Sequence, residues 1–238
     1  MMAEPKKVAI VQSSYIPWRG YFDMIAKADL FVLYDVVQYT KRDWRNRNKI
    51  KTAAGDKWLT IPVRTSHRQF QRINQAEVVP AIWADKHLKS FEVNYRKARY
   101  FDQTMEWLVP LYSDLKEQRQ LSIINKSLIK ALCQQLSIST PIIEAEDFQI
   151  IGHRSQALLS ILQQIEGVTH YISGPAAKAY LDEELFNNQN IKVDWMDYAD
   201  YPIYDQLFPP FSPKVSIVDL LFNEGPNSRY YLKRQSPK

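Results

Sequence analysis

A chain of 238 residues and 27.9 kDa, 45% hydrophobic and 13% aromatic, can bury a sizeable core, which excludes a disordered or low-complexity protein. Its six glycines form neither GxGxxG nor GxxxxGK(S/T), so a glycine-cradled phosphate site is excluded as well. The net charge of +5 is unevenly placed: from Lys41 to Arg72 ten Lys and Arg stand against Asp43 and Asp56, whereas the remainder carries 21 basic and 24 acidic residues. Such a basic block suits an anionic partner, whether phosphate, nucleotide, carboxylate or nucleic acid.

In chain order, residues 8–11 (VAIV) read as a buried strand, residues 21–28 as a short helix and residues 30–33 (LFVL) as a second strand, a βαβ opening. Residues 57–63 (KWLTIPV) alternate as a third strand, which leaves residues 41–51 as loop or ribbon. A helical stretch over residues 84–137 follows in three segments, with Pro110 expected to kink or divide the second. Beyond Pro141 come a strand (PIIEA), a helix from Ser155 to Glu166 capped by Ser155, and a strand (HYIS). SGPAAKAYL then reads as a turn into a helix with Pro175 at its first position, IKVDWMDY as a strand, and VSIVDLLFNEG as a buried helix stopped by Gly225. The expectation is one α/β domain over residues 1–238, its sheet mostly parallel, with a helical insertion in the middle of the chain. The loops after Val11, Leu33 and Ile172 should then converge on one sheet edge.

Two of those loops carry chemistry. The first, from Gln12 through Tyr15 and Trp18 to Tyr21, offers helix amides and Arg19 to an anion. The second follows the second strand and holds Asp35, Gln38, Lys41, Arg42, Trp44, Arg45, Asn46, Arg47 and Asn48. Guanidinium forks match phosphate or carboxylate, and the two asparagines donate and accept towards sugar hydroxyls or amides. Basic residues interleaved with Tyr39 and Trp44 also admit a nucleic-acid reading, with transfer RNA as its form. Ser173 and Lys178 mark a further strand-to-helix turn. Asp219 and Asn223 share a face of the last helix, with Glu224 beside them. An acid among Val218, Leu220 and Leu221 needs a partner, and Asp219 or Glu224 is expected to reach a cation between Lys41 and Arg72.

His67, His87, His153 and His170 show no metal-ligand spacing, so no metal site is expected, and no cofactor can be named. Cys133, the single cysteine, reads as a buried inert thiol, and residues 233–238 as a frayed tail. The short apolar run near the N-terminus falls far below a signal peptide or membrane span, from which a soluble cytoplasmic protein is expected.

Together VAIVQSSYIPWRGYFDMIAKAD, VLYDVVQYTKRDWRNRNKIK, KWLTIPV, KHLK, YISGPAAKAYL and VSIVDLLFNEGP resemble the WbqC-like family, proteins encoded in bacterial O-antigen and other surface-polysaccharide clusters. The family commonly has Gln-Pro in the first loop and Asp-Asp after the second strand, where this chain has Gln12-Ser13 and Asp35-Val36. The acid expected to act therefore becomes Asp35. The resemblance implies transfer of an acyl or aminoacyl group, glycyl in particular, to a nucleotide-linked amino sugar. The competing expectation is a non-catalytic protein that binds a sugar nucleotide or a partner enzyme.

Overall fold

Strand β1 (Lys6–Val11) lies at the centre of the main sheet, and its three consecutive apolar residues, Val8, Ala9 and Ile10, are all buried. That is the environment of a parallel strand covered on both faces. The structure, a computed structural model, describes residues 6–66, 68, 70–79 and 83–233, so His67 and residues 234–238 of the tail lie outside the described residues.

Helix α1 (Arg19–Lys27) leads from β1 to β2 (Leu30–Leu33). It starts tightly: a Cβ on Gly20 would sit 2.4 Å from the Trp18 indole, so only glycine allows that ring to lie on the helix start. Next come β3 (Arg47–Thr52) and β4 (Gly55–Thr60), then α2 (Trp83–Tyr95), α3 (Phe101–Leu115) and α4 (Leu121–Gln135). The chain returns to the sheet through β5 (Ile142–Glu144), α5 (Ser155–Leu162), β6 (Val168–Ser173), α6 (Glu183–Asn187) and β7 (Lys192–Trp195), and α7 (Ile217–Glu224) follows.

The main sheet is five-stranded and parallel, in the order β5-β2-β1-β6-β7, with Val8 opposite Leu30 on one side and Tyr171 on the other. Its strands alternate between two cores. Ala9, Phe31, Leu33 and Ile172 join Phe22 and Ile25 of α1 and the apolar faces of α2, α3, α4 and α7, whereas Val8, Ile10, Val32, Tyr171 and Val193 join Leu159 and Leu162 of α5 and Phe186 of α6. The chain is thus α/β, with the helical insertion over its middle. Successive strands leave β1 first on one side and then on the other, so the topological switch point lies between β1 and β6. Parallel strands put all their carboxyl ends on one edge, where open α/β sheets bind ligands.

Three local expectations are corrected, and the strand expected over residues 57–63 is present as β4 but pairs with β3 in a separate antiparallel hairpin. Cationic side chains recur along β3, and a hairpin with one outward face leaves Arg47 and Lys49 partly in solvent, which a strand buried on both faces would not, while buried Lys51 donates to the Pro210 carbonyl. Pro110 does not divide its helix, because α3 runs unbroken from Phe101 to Leu115. Ser155 is not the cap of α5; Arg154 is, at φ 51°, and the Ser155 hydroxyl accepts from the Asp182 amide instead. SGPAAKAYL makes only a 3-10 turn (Pro175–Ala179), although Pro175 does occupy its first position.

Candidate functional site

The loop after β1 is fixed from three directions. The Tyr15 amide donates to the Trp44 carbonyl, Asn48 Nδ2 on β3 donates to the carbonyls of Tyr15 (3.2 Å) and Ile16 (2.9 Å), and the Ser216 hydroxyl donates to Ile16 (2.7 Å). Ser216 also caps α7, whose Ile217 amide donates to Pro17. Ile16 sits at φ 34°, which a β-branched residue adopts only under constraint, and these bonds supply it.

The fixed loop walls a cleft of about 650 Å³. Trp18, Tyr21, Trp44, Tyr198, Tyr201 and Phe211 supply its aromatic lining, and Ser14, Arg19, Arg45, Asn48, Asp200 and Lys214 its polar groups. The cleft opens at the carboxyl end of β1 beside the segment that follows β7, at the switch-point side of the sheet. Its size and mixed lining are those of a small-molecule site.

Arg19 is the unusual member. Its side chain lies within an aromatic cage, with Cζ 4.5 Å from the Tyr201 ring centroid and 5.8 and 5.9 Å from Tyr204 and Phe211. Only 5% of the residue is exposed, Nη1 donates to the Pro202 carbonyl at 2.6 Å, and Nε is buried without a hydrogen-bond partner. Among the described residues Arg19 makes no ion pair. Burial lowers its proton affinity, partly offset by Tyr204, Tyr201 and Asp23, but a guanidinium remains charged. Arg19 is thus a nearly buried cation at the cleft wall, with the charge of Asp23 acting on it but no ion pair among the described residues.

Asp35, just beyond β2, is 3% exposed, and its Oδ1 accepts from the Ser13 amide at 2.7 Å. Asn125 on α4 ties the region together by donating to the Ser13 hydroxyl (3.1 Å) and to the Arg45 carbonyl (2.9 Å). Arg45 Nη1 in turn donates to Gln12 Oε1 at 3.3 Å, and its Nε lies 3.7 Å from Asp43. Burial holds the Asp35 carboxyl above its ordinary range, even though the Ser13 hydroxyl and amide and the Arg45 charge pull the other way. Asp35 does not line the aromatic cleft. It faces a second cleft of about 270 Å³ with Asn74, Gln120, Ser122, Lys126, Glu144 and Glu146, in which Lys126 pairs with Glu144 and Asn74 donates to Glu146. The Gln12 to Ser14 loop thus has an aromatic, cationic cleft on one side and a smaller carboxylate-bearing one on the other.

The remaining expected site residues scatter. Tyr15 is wholly buried, its hydroxyl 2.7 Å from His87 Nδ1 and 2.5 Å from the Tyr112 hydroxyl. Asn46 is buried and donates to the Ile61 carbonyl. Gln38, Lys41 and Arg42 are exposed outside both clefts, and Arg47 Cζ stands 4.1 Å over the Trp58 ring. Ser173 is buried at the end of β6, and exposed Lys178 lies over Trp195. Asp219 does not reach a cation: it accepts from Tyr95, Tyr204 and Gln206, at 2.7, 2.7 and 2.8 Å. Three neutral donors take the place of the expected ion pair. The basic segment still acts on the carboxylate: the charge of buried Lys51 favours its ionised form, and the Lys51 amide donates to the Tyr95 hydroxyl. Asn223 donates to the Asp219 carbonyl, and half-buried Glu224 meets Tyr231. Burial pushes the Cys133 thiol up to about 12. Among the described residues no cluster of His, Cys, Asp and Glu could hold a metal, and no helix is long and apolar enough to cross a membrane.

The profile of the WbqC-like protein family matches residues 12–231. The chain belongs to the WbqC-like family. It is also 46% identical over 229 residues to the uncharacterized protein Rv1507c of Mycobacterium tuberculosis (strain ATCC 25618 / H37Rv), covering 96% of this chain and 98% of that one. No solved structure matches. The span matched by the WbqC-like profile takes in both clefts and the segment after β7, whose Tyr198, Asp200, Tyr201, Phe211 and Lys214 were not singled out from the sequence. The signal for them was present: an aromatic and proline-rich run follows a parallel strand, where ligands bind.

Proposed function

We propose that this WbqC-like protein is a transferase or amide-forming enzyme that attaches an acyl or aminoacyl group to a nucleotide-linked amino sugar in bacterial surface-polysaccharide building. The observation that carries the reading is Arg19, a nearly buried cation without an ion pair among the described residues, lining an aromatic cleft of about 650 Å³. Aromatic walls suit a nucleobase, and Arg19 and Arg45 suit the diphosphate. Gln12, Ser14 and Trp18 would then position the sugar. In the reaction the sugar amine forms a C–N bond with the acyl carbon, the bond from that carbon to its activating group breaks, and the amine proton passes to Asp35. A carboxyl whose burial lifts it above its ordinary range suits that proton transfer. The smaller cleft would receive the acyl donor.

One observation favours the non-catalytic alternative: the Asp35 carboxylate is already bonded to Ser13 and does not line the aromatic cleft. The deciding experiment is calorimetric titration with UDP- and dTDP-amino sugars, followed by incubation with ATP and glycine or with glycyl-tRNA and mass spectrometry. A glycyl mass gain that Asp35→Asn abolishes supports the enzyme. Saturable binding without mass gain in any donor combination supports a binding protein, and no binding overturns the assignment of the cleft.

A further inference from the structure

Trp58 on the β3–β4 hairpin, with Trp44 just before it, makes an aromatic surface that extends beyond the aromatic cleft, which Trp44 lines and Trp58 does not. Trp44 and Trp58 are 44% and 39% exposed, with ring centroids 5.4 Å apart and planes tilted by 39°. Register puts Lys49 directly opposite Trp58, and Arg47 two residues earlier on the same face. Their charges sit over the indole, Arg47 Cζ at 4.1 Å and Lys49 Nζ at 5.2 Å from its centroid, Lys49 also pairing with Asp56 at 3.6 Å. The opposite face is different in kind: Ile50 and Leu59 are buried in the core. The hairpin therefore turns Ile50 and Leu59 inward, and Trp58 with Arg47 and Lys49 outward against Trp44.

Two tryptophans in mutual contact, each with about two fifths of its surface in water, offer ring faces and edges that a planar partner can cover. Charge selects the cover. The segment from Lys41 to Arg72 holds ten cations and two acids. Lys41, Arg42 and Lys57 are exposed and do not line the aromatic cleft, where Arg19, Arg45 and Lys214 already supply cations. A neutral glycan would stack on indoles but leave those cations unmatched. A polyanion with planar rings uses both, as single-stranded nucleic acids do on stacking platforms with cationic flanks.

We infer that Trp44 and Trp58, with Arg47 and Lys49, form a platform for the single-stranded end of an RNA. Trp44 belongs both to this surface and to the lining of the aromatic cleft, so a strand stacked on the platform brings its terminus to the cleft mouth. The role of that strand, carrying the acyl group as an ester on its terminal ribose, rests on the transferase reading, whereas its binding does not.

The test is fluorescence anisotropy of a labelled eight-nucleotide oligoadenylate RNA titrated with the full chain from 50 to 200 mM salt, beside calorimetry with the amino-sugar nucleotides. Saturable binding that weakens with salt is expected, with Trp58→Ala raising Kd roughly tenfold and Trp58→Phe retaining most of the affinity. Arg47→Gln should flatten the salt slope by about 0.7. Amino-sugar nucleotide binding should be unchanged by Trp58→Ala, which separates the platform from the cleft. The inference is overturned by an absence of saturable RNA binding at 50 mM salt, by Trp58→Ala and Arg47→Gln proteins that bind RNA like the parent, or by a neutral hexasaccharide binding more tightly than the RNA.

Discussion

The Ser13 amide donates to the Asp35 carboxylate across 2.7 Å, joining the loop after β1 to the loop after β2 at the carboxyl edge of the sheet. This bond sets what Asp35 can do. Two interactions with Ser13 and the charge of Arg45 favour the ionised form, yet burial outweighs them and the pKa stands above its ordinary 3.8. A raised folded pKa means that stability from this group is fully present below the unfolded pKa and is lost as pH rises through the folded one. Asp35→Asn should therefore gain stability relative to the parent as pH rises from about 4 to 8, read from thermal melts at both ends. In the transferase reading the same variant should lose about 10²- to 10⁴-fold in kcat, the contribution of a general base. An unaltered kcat would remove Asp35 from the reaction.

Arg19 offers a separation of stability from binding. Its charge is buried without an ion pair among the described residues, so Arg19→Met, which keeps the length of the stem, should fold with stability within about 1 kcal/mol of the parent or better. The same change should raise the Kd of an amino-sugar nucleotide at least about tenfold, since a charge-assisted hydrogen bond contributes roughly 1.5–3 kcal/mol. Urea unfolding and calorimetry on one preparation read both quantities. A large stability loss with unchanged affinity would make Arg19 a structural residue.

The sheet was legible because its strands are short apolar runs bounded by turn residues and separated by helical periodicity, and both the parallel order and the shared loop edge follow from that alternation. The helix of residues 217–224 and its stop at Gly225, whose φ is 49°, were legible for the same reason. The functional surfaces were legible only in part. Residue type placed Asn46 and Tyr15 among ligand contacts, but their side chains are spent within the protein, on the Ile61 carbonyl and on His87 and Tyr112. An amide or a phenol looks the same in sequence whether it faces a ligand or a backbone carbonyl. Conversely, the segment after β7 forms a wall of the aromatic cleft through tertiary packing that no periodic pattern announces, and the cage around Arg19 joins residues about 180 positions apart.

Asp219 tests whether neutral donors can replace a cation. Tyr95, Tyr204 and Gln206 all donate to its carboxylate, and burial nonetheless holds it above the ordinary carboxylate range. Asp219→Ala leaves the buried Tyr95 and Tyr204 hydroxyls without their acceptor, while Gln206 Nε2 keeps the Ser212 carbonyl; at roughly 1–3 kcal/mol for each hydroxyl, a loss of at least about 2 kcal/mol is expected in urea unfolding. Tyr95→Phe removes one donor and should cost about 1 kcal/mol. Equal effects of the two variants would show that the carboxylate is not the centre of this network.

His87 gives the opposite pH dependence from Asp35. It is buried on α2, and desolvation lowers its pKa from 6.5 to about 4, despite a hydrogen bond to the Thr60 backbone that favours the charged form. With one ring nitrogen committed to Thr60, Nδ1 of the neutral ring accepts from the Tyr15 hydroxyl at 2.7 Å. Protonation would destroy that acceptor and place a charge beside Trp83 and Tyr112. A folded pKa below the unfolded one means that the unfolded chain takes up the proton first, so stability from His87 is present above pH 6.5 and lost as pH falls towards 4. The difference between 6.5 and about 4 corresponds to about 3 kcal/mol. In His87→Phe the fall in stability between those pH values should be smaller than in the parent by about that amount, while stability at pH 7 drops because Tyr15 and the Thr60 carbonyl lose a partner. Urea unfolding at half-unit pH steps measures both, and the imidazole proton shifts of the parent report the titration directly. A His87 resonance that titrates near 6.5 in the folded protein would refute the buried neutral ring.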